Sequence, residues 1–247
     1  MPTVEFNDRS HAIKWILTDK RYSSKDVYCS YSSLKMYRDC GIPFQHRPRF
    51  FIFGTEIHSQ FLEKKSTEKL NRVEKALMKL MLMALWASAI VRKLMTNVKV
   101  EQVFKKIIHG MHCCGRIDIL AKTYVADLKT TSCTNLKAFI ASMDFLQVAM
   151  YLAATGLKDF YYIGISKKFP YRVFIFNARD YPERLEEAKK ELKKYLLMLK
   201  KDLAIHIKNK HANNNRYTRT KTIVQRKKAN VKCGRLHHTK TKRKVSH

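Results

Sequence analysis

Two aspartates and a lysine have the types and the spacing to do chemistry together. Asp118 lies in the apolar run 117–120, and Asp127 lies in the apolar run 124–128, with Lys129 two residues further on. Only three residues separate the runs, so the pattern predicts a β-hairpin. Residues i and i+2 of a strand point to the same face, which would bring Asp127 and Lys129 together beside Asp118. Such a group would suit a divalent cation and attack on a phosphate.

The same residues also fit a simpler structure, a solvated hairpin with its charges on the outer face. An Asp, a gap and an Asp-x-Lys arise by chance in many chains of this size, so the motif alone identifies no site. The elements around the hairpin have to distinguish the two interpretations.

The net charge points to a polyanionic partner. The 247 residues include 50 Lys and Arg against 20 Asp and Glu, which gives a formal charge of +30. Residues 208–247 hold 14 of the basic residues and no acidic one, so the rest of the chain still carries +16. Nucleic acid is the first partner that such a charge predicts, and an acidic membrane surface is the second.

Length and composition predict one folded domain with an appendage. A hydrophobic content of 45% is enough for a core in a chain of this size. The first residues resemble no secretory signal, and the apolar run 76–91 is short for a bilayer span and contains Lys79. The six scattered cysteines suit reduced thiols better than a disulfide framework. We therefore expect a cytoplasmic protein without a membrane segment.

Hydrophobic periodicity predicts a mixture of helices and strands. A short helix is expected around residues 11–18, and another begins at Ser32 or Ser33 and stops at Gly41. The remaining predicted helices begin near Thr55 or cover residues 67–95, 135–154 and 181–207, and the remaining strands cover residues 98–108, 160–166 and 171–176. Beyond residue 207 the apolar period vanishes, which predicts a tail that is disordered in isolation. The expected divisions are an N-terminal extension over 1–30, a domain over 31–207 and a basic tail over 208–247.

Histidines and cysteines offer further candidate ligands. His58 lies one residue off the apolar face of its helix, where a lone histidine is more often structural than a ligand. His109, His112, Cys113 and Cys114 lie close together, but they lack the paired spacing and the second ligand pair of a structural zinc site.

Taken in order, these pieces resemble a known family. A helix with G-T-E-I-H, a long helix, a strand, G-R-I-D, D-L-K-T-T and a helix with Q-V-A-M-Y follow one another. This order is similar to the PD-(D/E)xK nuclease superfamily, to its RecB-type branch and most of all to the exodeoxyribonuclease VIII type of phages and prophages. The resemblance spans about residues 31–199. It implies an α/β restriction-endonuclease-like core, with a mixed β-sheet flanked by helices.

The resemblance implies a metal centre around the hairpin. Asp118 and Asp127 match the two acidic ligands, and His58 matches the upstream histidine that joins the metal shell in RecB-type members. Lys129 matches the motif lysine, which orients water and offsets phosphate charge. The Leu128 carbonyl is a further candidate ligand. The expected ion is Mg²⁺, with Mn²⁺ as a substitute.

Other positions match the family less directly. Gln147 and Tyr151 match a Gln-x-x-x-Tyr block beside the site, and Thr130 follows the motif lysine. With Thr131, Thr130 opens a hydroxyl-rich segment suited to phosphate oxygens. Glu101 matches an acidic residue of the first strand only loosely. An iron–sulfur cluster of the kind found in some relatives is not expected, because only Cys233 follows Cys133.

The resulting hypothesis is a Mg²⁺-dependent DNA exonuclease that processes DNA ends for recombination or repair. Two alternatives stay open, a non-catalytic nucleic-acid-binding protein on the same fold and a structure-specific endonuclease. The implied partners are DNA, a single-strand annealing or recombination protein, and further copies of the chain. The implied setting is a bacterial or phage-infected cell.

Overall fold

A six-stranded mixed β-sheet forms the centre of the computed structural model. The model describes residues 27–39, 49–65 and 69–237 and the isolated positions 9, 13 and 16–18, with side chains except at Phe50 and at 210–237. Of the helix predicted at 11–18, the structure describes positions 13 and 16–18, which are helical. The predicted end of the next helix at Gly41 lies outside the described residues. The strands are β1 (Cys29–Ser30), β2 (Lys99–Ile108), β3 (Met111–Leu120), β4 (Tyr124–Thr131), β5 (Asp159–Ser166) and β6 (Val173–Asn177).

Strand β3 changes partners along one of its edges. On its other edge it pairs with β2 along most of its length. On the edge opposite β2, β4 pairs antiparallel with β3 only at Ile119↔Ala126 and Leu120↔Val125. Further along the same edge, β1 pairs parallel with β3 at Cys113 and Cys114. The predicted hairpin is therefore present, but its strands separate two residue pairs from the turn. The opening between them contains the part of β3 that carries Asp118.

The other strands complete a mixed sheet. Strand β4 pairs parallel with β5 from Tyr124 to Thr131, and β6 pairs antiparallel with β5. Four consecutive residues of β4, 125–128, are buried, as expected for a strand covered on both faces. The predicted mixed β-sheet flanked by helices is confirmed.

Helices cover both faces of this sheet. They are α1 (Tyr31–Arg38), α2 (Arg49–Glu63), α3 (Arg72–Ala87), α4 (Ala89–Leu94), α5 (Leu136–Ser142), α6 (Phe145–Thr155) and α7 (Pro182–His237). Ile57 of α2 and Met81 of α3 join one core cluster with Ile119, Leu128 and Ile163 of the sheet. On the opposite face Phe139 of α5 stacks on Phe174, and Phe145 of α6 stacks on Phe176.

Capping residues divide two helices that the periodicity predicts as continuous. The helix predicted over 135–154 is α5 and α6, which meet at a 70° bend, and Asp144 caps α6. The helix predicted over 67–95 is α3 and α4, with Ser88 as the cap of α4. Similarly, α1 is capped by Ser30 and not by the predicted Ser32 or Ser33. A side chain that accepts a hydrogen bond from a backbone N–H can start a new helix even where the apolar periodicity of the sequence continues.

The backbone of α7 extends into the predicted tail. The predicted helix ends at residue 207, whereas α7 continues to His237, and residues 238–247 lie outside the described part. Its continuation has no proline and is rich in Lys and Arg, which have favourable intrinsic helix propensity, although it has no apolar face. The disorder predicted for the isolated tail stays a prediction. The chain divides into two compact units, 1–199 and 200–247.

Within the described residues, every helix taken singly is too short or too polar to cross a bilayer. The bent pair α5 and α6 passes that test by length and composition only when its two parts are joined.

Asp144 joins the start of α6 to α1. Its Oδ1 accepts the Leu146 N–H at 3.0 Å, and Arg38 donates to both carboxylate oxygens, at 3.1 Å and 2.7 Å. Burial raises the pKa of Asp144, but the hydrogen bonds and charge of Arg38 outweigh burial and hold that pKa below its usual range. The charged carboxylate therefore stabilises the folded state.

Asp144→Asn is expected to lower the free energy of unfolding at pH 7 by about 1–3 kcal/mol, because it removes a partly buried ion pair but keeps a capping oxygen. The folded-state pKa is depressed, so this stability is complete above the unfolded-state pKa and is lost as pH falls through the folded-state pKa. Urea unfolding at several pH values should show the gap between wild type and variant closing in acid. A gap that is independent of pH would contradict this assignment.

Candidate metal centre and active site

The opening between β3 and β4 brings residues from three elements together. Asp118 of β3 accepts the Leu128 N–H of β4 at its Oδ2, at 3.0 Å. The same oxygen lies 3.3 Å from Nδ1 of His58, which α2 supplies. Asp118 thus replaces the backbone acceptor that a paired strand would offer to Leu128. His58, which the helical pattern left one residue off the apolar face, is positioned at the centre of the site.

Asp127 and Lys129 form a second pair in the same opening. The Lys129 Nζ lies 2.7 Å from Asp127 Oδ2, and the Gln147 side-chain amide of α6 donates to Asp127 Oδ1, also at 2.7 Å. The Asp127 side chain is 2% exposed, whereas that of Lys129 is 34% exposed. The carboxylate therefore holds a lysine whose ammonium reaches the surface of the cleft.

The two carboxyl groups differ in their electrostatic surroundings. Burial, together with the charge of Asp118, raises the pKa of Asp127 to about 6 despite the opposing effect of Lys129. Burial would also raise the pKa of Asp118, but the hydrogen bond and charge of His58 and the charge of Lys129 hold it below its usual value.

The neighbouring carboxylates raise the pKa of both basic members of the site, and His58 has to be neutral to bind a cation. Burial acts to lower the pKa of Lys129, but Asp127 and Asp118 raise it above its usual value. The pKa of His58 is also raised, because the hydrogen bond and charge of Asp118 outweigh burial. A protonated Lys129 is what a group that offsets phosphate charge requires.

Glu101 completes the site from strand β2. Its carboxylate, His58 and Asp118 each offer a ligand atom, and these atoms lie within 4.8 Å of one another. Glu101 falls opposite Asp118 in the β2–β3 register. The residues on either side of Glu101 pair with β3, but Glu101 and Asp118 do not pair with each other. Its φ of 52° is in the left-handed region, which costs about 1–3 kcal/mol for such a residue. Strain of this kind persists where the surrounding structure enforces it, often at functional sites.

The sequence gives only a weak indication that Glu101 belongs to the site. The signal was only a loose match to the family, because a backbone kink in the middle of a strand leaves no trace in periodicity. Burial and the charge of Asp118 raise the pKa of Glu101, with an opposing contribution from Arg116, its ion-pair partner. In the sequence, Arg116 is distinguished only by its place in the G-R-I-D block.

The predicted substrate-binding residues lie around the opening with varied contacts. Gln147 is buried against Asp127, and the Tyr151 hydroxyl donates to the Arg116 carbonyl at 3.0 Å. These contacts suit positioning of the site, and a role in binding substrate stays a prediction. Thr130 and Thr131 line the cleft, and the Thr131 Oγ1 accepts the Cys133 N–H.

The predicted ligand role of the Leu128 carbonyl also stays a prediction. The described contact of Leu128 is the hydrogen bond from its N–H to Asp118. The N–H and C=O of one strand residue point to the same side of the strand, so the carbonyl also faces β3. This is the side from which a ligand would have to come.

Two cavities meet at this group of residues. The larger, about 800 Å³, lies between α2 and the ends of β4 and β5 and includes Glu101, Thr130 and Lys167 in its lining. The smaller, about 300 Å³, includes Tyr31, Asp127 and Gln147. Both are lined by His58, Arg116, Asp118 and Lys129. A ligand that fills both cavities would pass directly over the carboxylates.

The donor set fits a hard divalent cation. One imidazole nitrogen and the oxygens of two carboxylates, those of Asp118 and Glu101, lie within 4.8 Å of one another, and the predicted ligand Asp127 lines the same opening without belonging to this group. Carboxylate oxygens are the ligands that Mg²⁺ and Mn²⁺ prefer. Asp127 Oδ2 and Glu101 Oε2 are buried and accept no hydrogen bond among the described residues, although Lys129 and Arg116 approach them as ion pairs. Buried carboxylate oxygens with unused lone pairs are suited to a cation.

Glu101→Gln is expected to weaken Mn²⁺ binding about tenfold or more, because it removes a charged oxygen from the group formed with His58 and Asp118. Isothermal titration with MnCl₂ in the absence of DNA measures this. Glu63→Gln is the matched control, since Glu63 lines the same cavity but pairs with Lys65. Equal Mn²⁺ affinities for the two variants would remove Glu101 from the centre.

Comparisons with known proteins bear on the fold. No family model matches the sequence, and no curated protein matches it either. A crystal structure of a candidate exonuclease from Eubacterium rectale is similar, with a TM-score of 0.54 and 14% identity over 83% of this chain and 86% of that one. An alkaline exonuclease from Laribacter hongkongensis aligns with a TM-score of 0.40 and 15% identity over 75% of this chain and 94% of that one. The first likeness is one of fold.

Proposed function

We propose that this protein is a Mg²⁺-dependent deoxyribonuclease that hydrolyses phosphodiester bonds from DNA ends. The observation that carries the proposal is the convergence of His58, Asp118, Asp127 and Lys129 on one opening in the sheet. Metal-assisted phosphoryl transfer uses carboxylates that bind a cation and a nearby protonated lysine that stabilises phosphate charge. The fold shared with the candidate exonuclease from Eubacterium rectale supports the same assignment.

Each residue of the site has a distinct task in this proposal. His58, Asp118 and Asp127 would hold the ion, with Glu101 as an additional ligand. When bound, Mg²⁺ supplies Lewis-acid stabilisation of phosphate charge and lowers the pKa of water. Lys129 presents a fixed positive charge to the phosphate oxygens, and Asp127 holds that ammonium in place. Gln147 fixes the orientation of Asp127, and the hydroxyls of Thr130 and Thr131 are available to phosphate oxygens.

Substrate attraction follows from charge. Even without residues 208–247 the chain carries +16, and Arg116 and Lys167 line the larger cavity. Basic side chains that neutralise phosphates release counterions, so DNA affinity should fall steeply with salt. This supports DNA as the partner but leaves strand polarity open.

An exposed aromatic residue in the connection that follows β5 suits an unpaired base. Phe169 is 84% exposed in the connection between β5 and β6, two residues beyond Lys167. Phe169→Ala is expected to weaken binding of duplexes with a single-stranded end by about 1–3 kcal/mol, the usual contribution of one base–aromatic stack. Fluorescence anisotropy in EDTA measures binding without cleavage, and a blunt duplex is the control substrate. An equal loss for both substrates would speak against stacking.

The central experiment is digestion of linear duplex DNA labelled at one end. Release of labelled nucleotides with Mg²⁺, and none with EDTA, is the expected result. Salt-sensitive binding without cleavage would favour a non-catalytic DNA-binding protein on the same fold. Cleavage of covalently closed circular DNA would favour a structure-specific endonuclease.

Finer aspects of the proposal come from the family resemblance. They include the exodeoxyribonuclease VIII type, end processing for recombination or repair, and action in the cytoplasm of a bacterial or phage-infected cell. A recombination or annealing protein and further copies of the chain are the proposed partners. Mn²⁺ is proposed to substitute for Mg²⁺, since both accept oxygen ligands.

A further inference from the structure

A third cavity, of about 630 Å³, lies behind helix α6. Its floor is apolar and its rim is basic, and none of its lining residues is acidic. The floor consists of Ala149, Leu152, Ala153, Leu157, Leu185 and Leu192. The charged rim consists of Lys158, Arg179, Lys189, Lys190 and Lys193. We name this feature the α6–α7 cavity.

The α6–α7 cavity is distinct from the nuclease site. At 100° per residue, Gln147 and Tyr151 lie on one side of α6, and Ala149 and Ala153 lie on the other. Gln147 and Tyr151 contact Asp127 and Arg116, respectively, whereas Ala149 and Ala153 line the α6–α7 cavity. The body of α6 therefore separates the two sites.

Most of the rim charge is not neutralised by the protein. Arg179 lies 3.5 Å from Asp159, and Lys189 lies 2.6 Å from Glu186. Lys158, Lys190 and Lys193 form no ion pair within the part of the chain that the structure describes. Lys189 and Lys193 are four residues apart on α7, a spacing at which like charges repel. An anionic ligand between them would relieve this repulsion.

The floor selects among anionic ligands. A duplex backbone is convex and strongly hydrated, so it would leave the leucine floor unfilled. No Phe, Tyr or Trp lines the cavity, so the aromatic platform that usually stacks unpaired bases is missing from it. A cavity of this volume with an apolar base and a charged rim suits an apolar side chain flanked by acidic residues.

We propose that the α6–α7 cavity binds an acidic peptide segment of a partner protein, with an apolar anchor side chain on the leucine floor and its carboxylates on the lysine rim. Rim charges would accelerate association, and the buried anchor would set the lifetime of the complex. The proposal concerns a surface remote from the carboxylate site and does not depend on nuclease activity.

Fluorescence anisotropy with a labelled peptide, Asp-Asp-Asp-Leu-Phe-Asp-Asp, tests this with the full-length protein. Replacing Leu-Phe by Ser-Ser in the peptide should weaken binding about tenfold, because the anchor is lost. The double variant K190E/K193E should weaken binding of the acidic peptide about tenfold or more, and should bind a Lys-for-Asp peptide better than wild type does. Lys194→Glu is the matched control, because Lys194 lies on α7 over the ring of Tyr195 and does not line the cavity.

A second variant tests the floor without changing charge. Ala153→Phe, at an exposed position of α6, should fill the cavity and weaken peptide binding to the same extent, with melting by circular dichroism as the check on folding. Absence of peptide binding, or equal binding of the anchorless peptide, would overturn the proposal. It would also be overturned if K190E/K193E lowered affinity for a short duplex as much as for the peptide, since the surface would then be a DNA contact.

Discussion

Asp118→Asn is expected to reduce Mg²⁺-dependent release of nucleotides about 10³-fold, because it removes the carboxylate on which His58 and the Leu128 N–H converge. The amide keeps an oxygen that can accept the Leu128 N–H, and a partly buried charge is lost. His58 and Lys129 hold the pKa of Asp118 below its usual value, so the charged carboxylate stabilises the fold, and its loss is expected to lower the melting temperature at pH 7 while the fold is retained. Digestion of end-labelled duplex and thermal melting measure the two effects.

The matched control for this variant is Asp159→Asn. Asp159 is a carboxylate of β5 that contacts Asn177 and Arg179, outside both cavities that meet at the carboxylate site. It should retain nuclease activity within about twofold, since surface substitutions away from functional features have small effects. Undiminished cleavage by Asp118→Asn would end the assignment of Asp118 to the metal centre.

Lys129→Met is expected to lower both activity and stability. Loss of the ammonium removes a charge that stabilises phosphate oxygens, for which a decrease of about 10²–10³-fold in rate is typical. It also removes the group that lowers the pKa of Asp127, which is already raised to about 6. The buried carboxyl group would then take up a proton near neutral pH, at a cost to folding of about 1–3 kcal/mol. Urea unfolding at pH 7 and the nuclease assay measure the two losses.

A double variant separates these effects. In Lys129→Met/Asp127→Asn the buried carboxylate is replaced by a neutral amide that can still contact Gln147, so stability should return toward that of wild type. Activity should stay at the level of the single variant or below. Recovery of cleavage together with stability would mean that Lys129 has only a structural role.

The parts of this structure that depend on local spacing were predictable from the sequence. Alternation along β4 put Asp127 and Lys129 on one face, and the apolar runs identified the hairpin with Asp118. The helix breaks at Ser88 and Asp144 were missed although both residues are ordinary N-caps, because the apolar pattern continues across them. The helix of residues 208–237 has no apolar face, so hydrophobic periodicity does not predict it.

The parts that depend on contacts distant in sequence could not be derived from spacing. The approach of His58 to Asp118 joins residues sixty positions apart, and it entered the prediction only through the family resemblance. The left-handed backbone of Glu101 is imposed by its surroundings, not by its residue type. The separation of β3 from β4, with β1 taking the vacated edge, is a property of the whole sheet.

That separation turns one backbone amide into an internal probe. The Leu128 N–H donates its hydrogen bond to the side chain of Asp118 and not to a backbone carbonyl of the neighbouring strand. Its proton chemical shift and its rate of exchange with deuterium therefore depend on the charge and occupancy of a single carboxylate. Nuclear magnetic resonance of ¹⁵N-leucine-labelled protein would follow cation titration at the centre of the site through this one resonance, without substrate and without turnover.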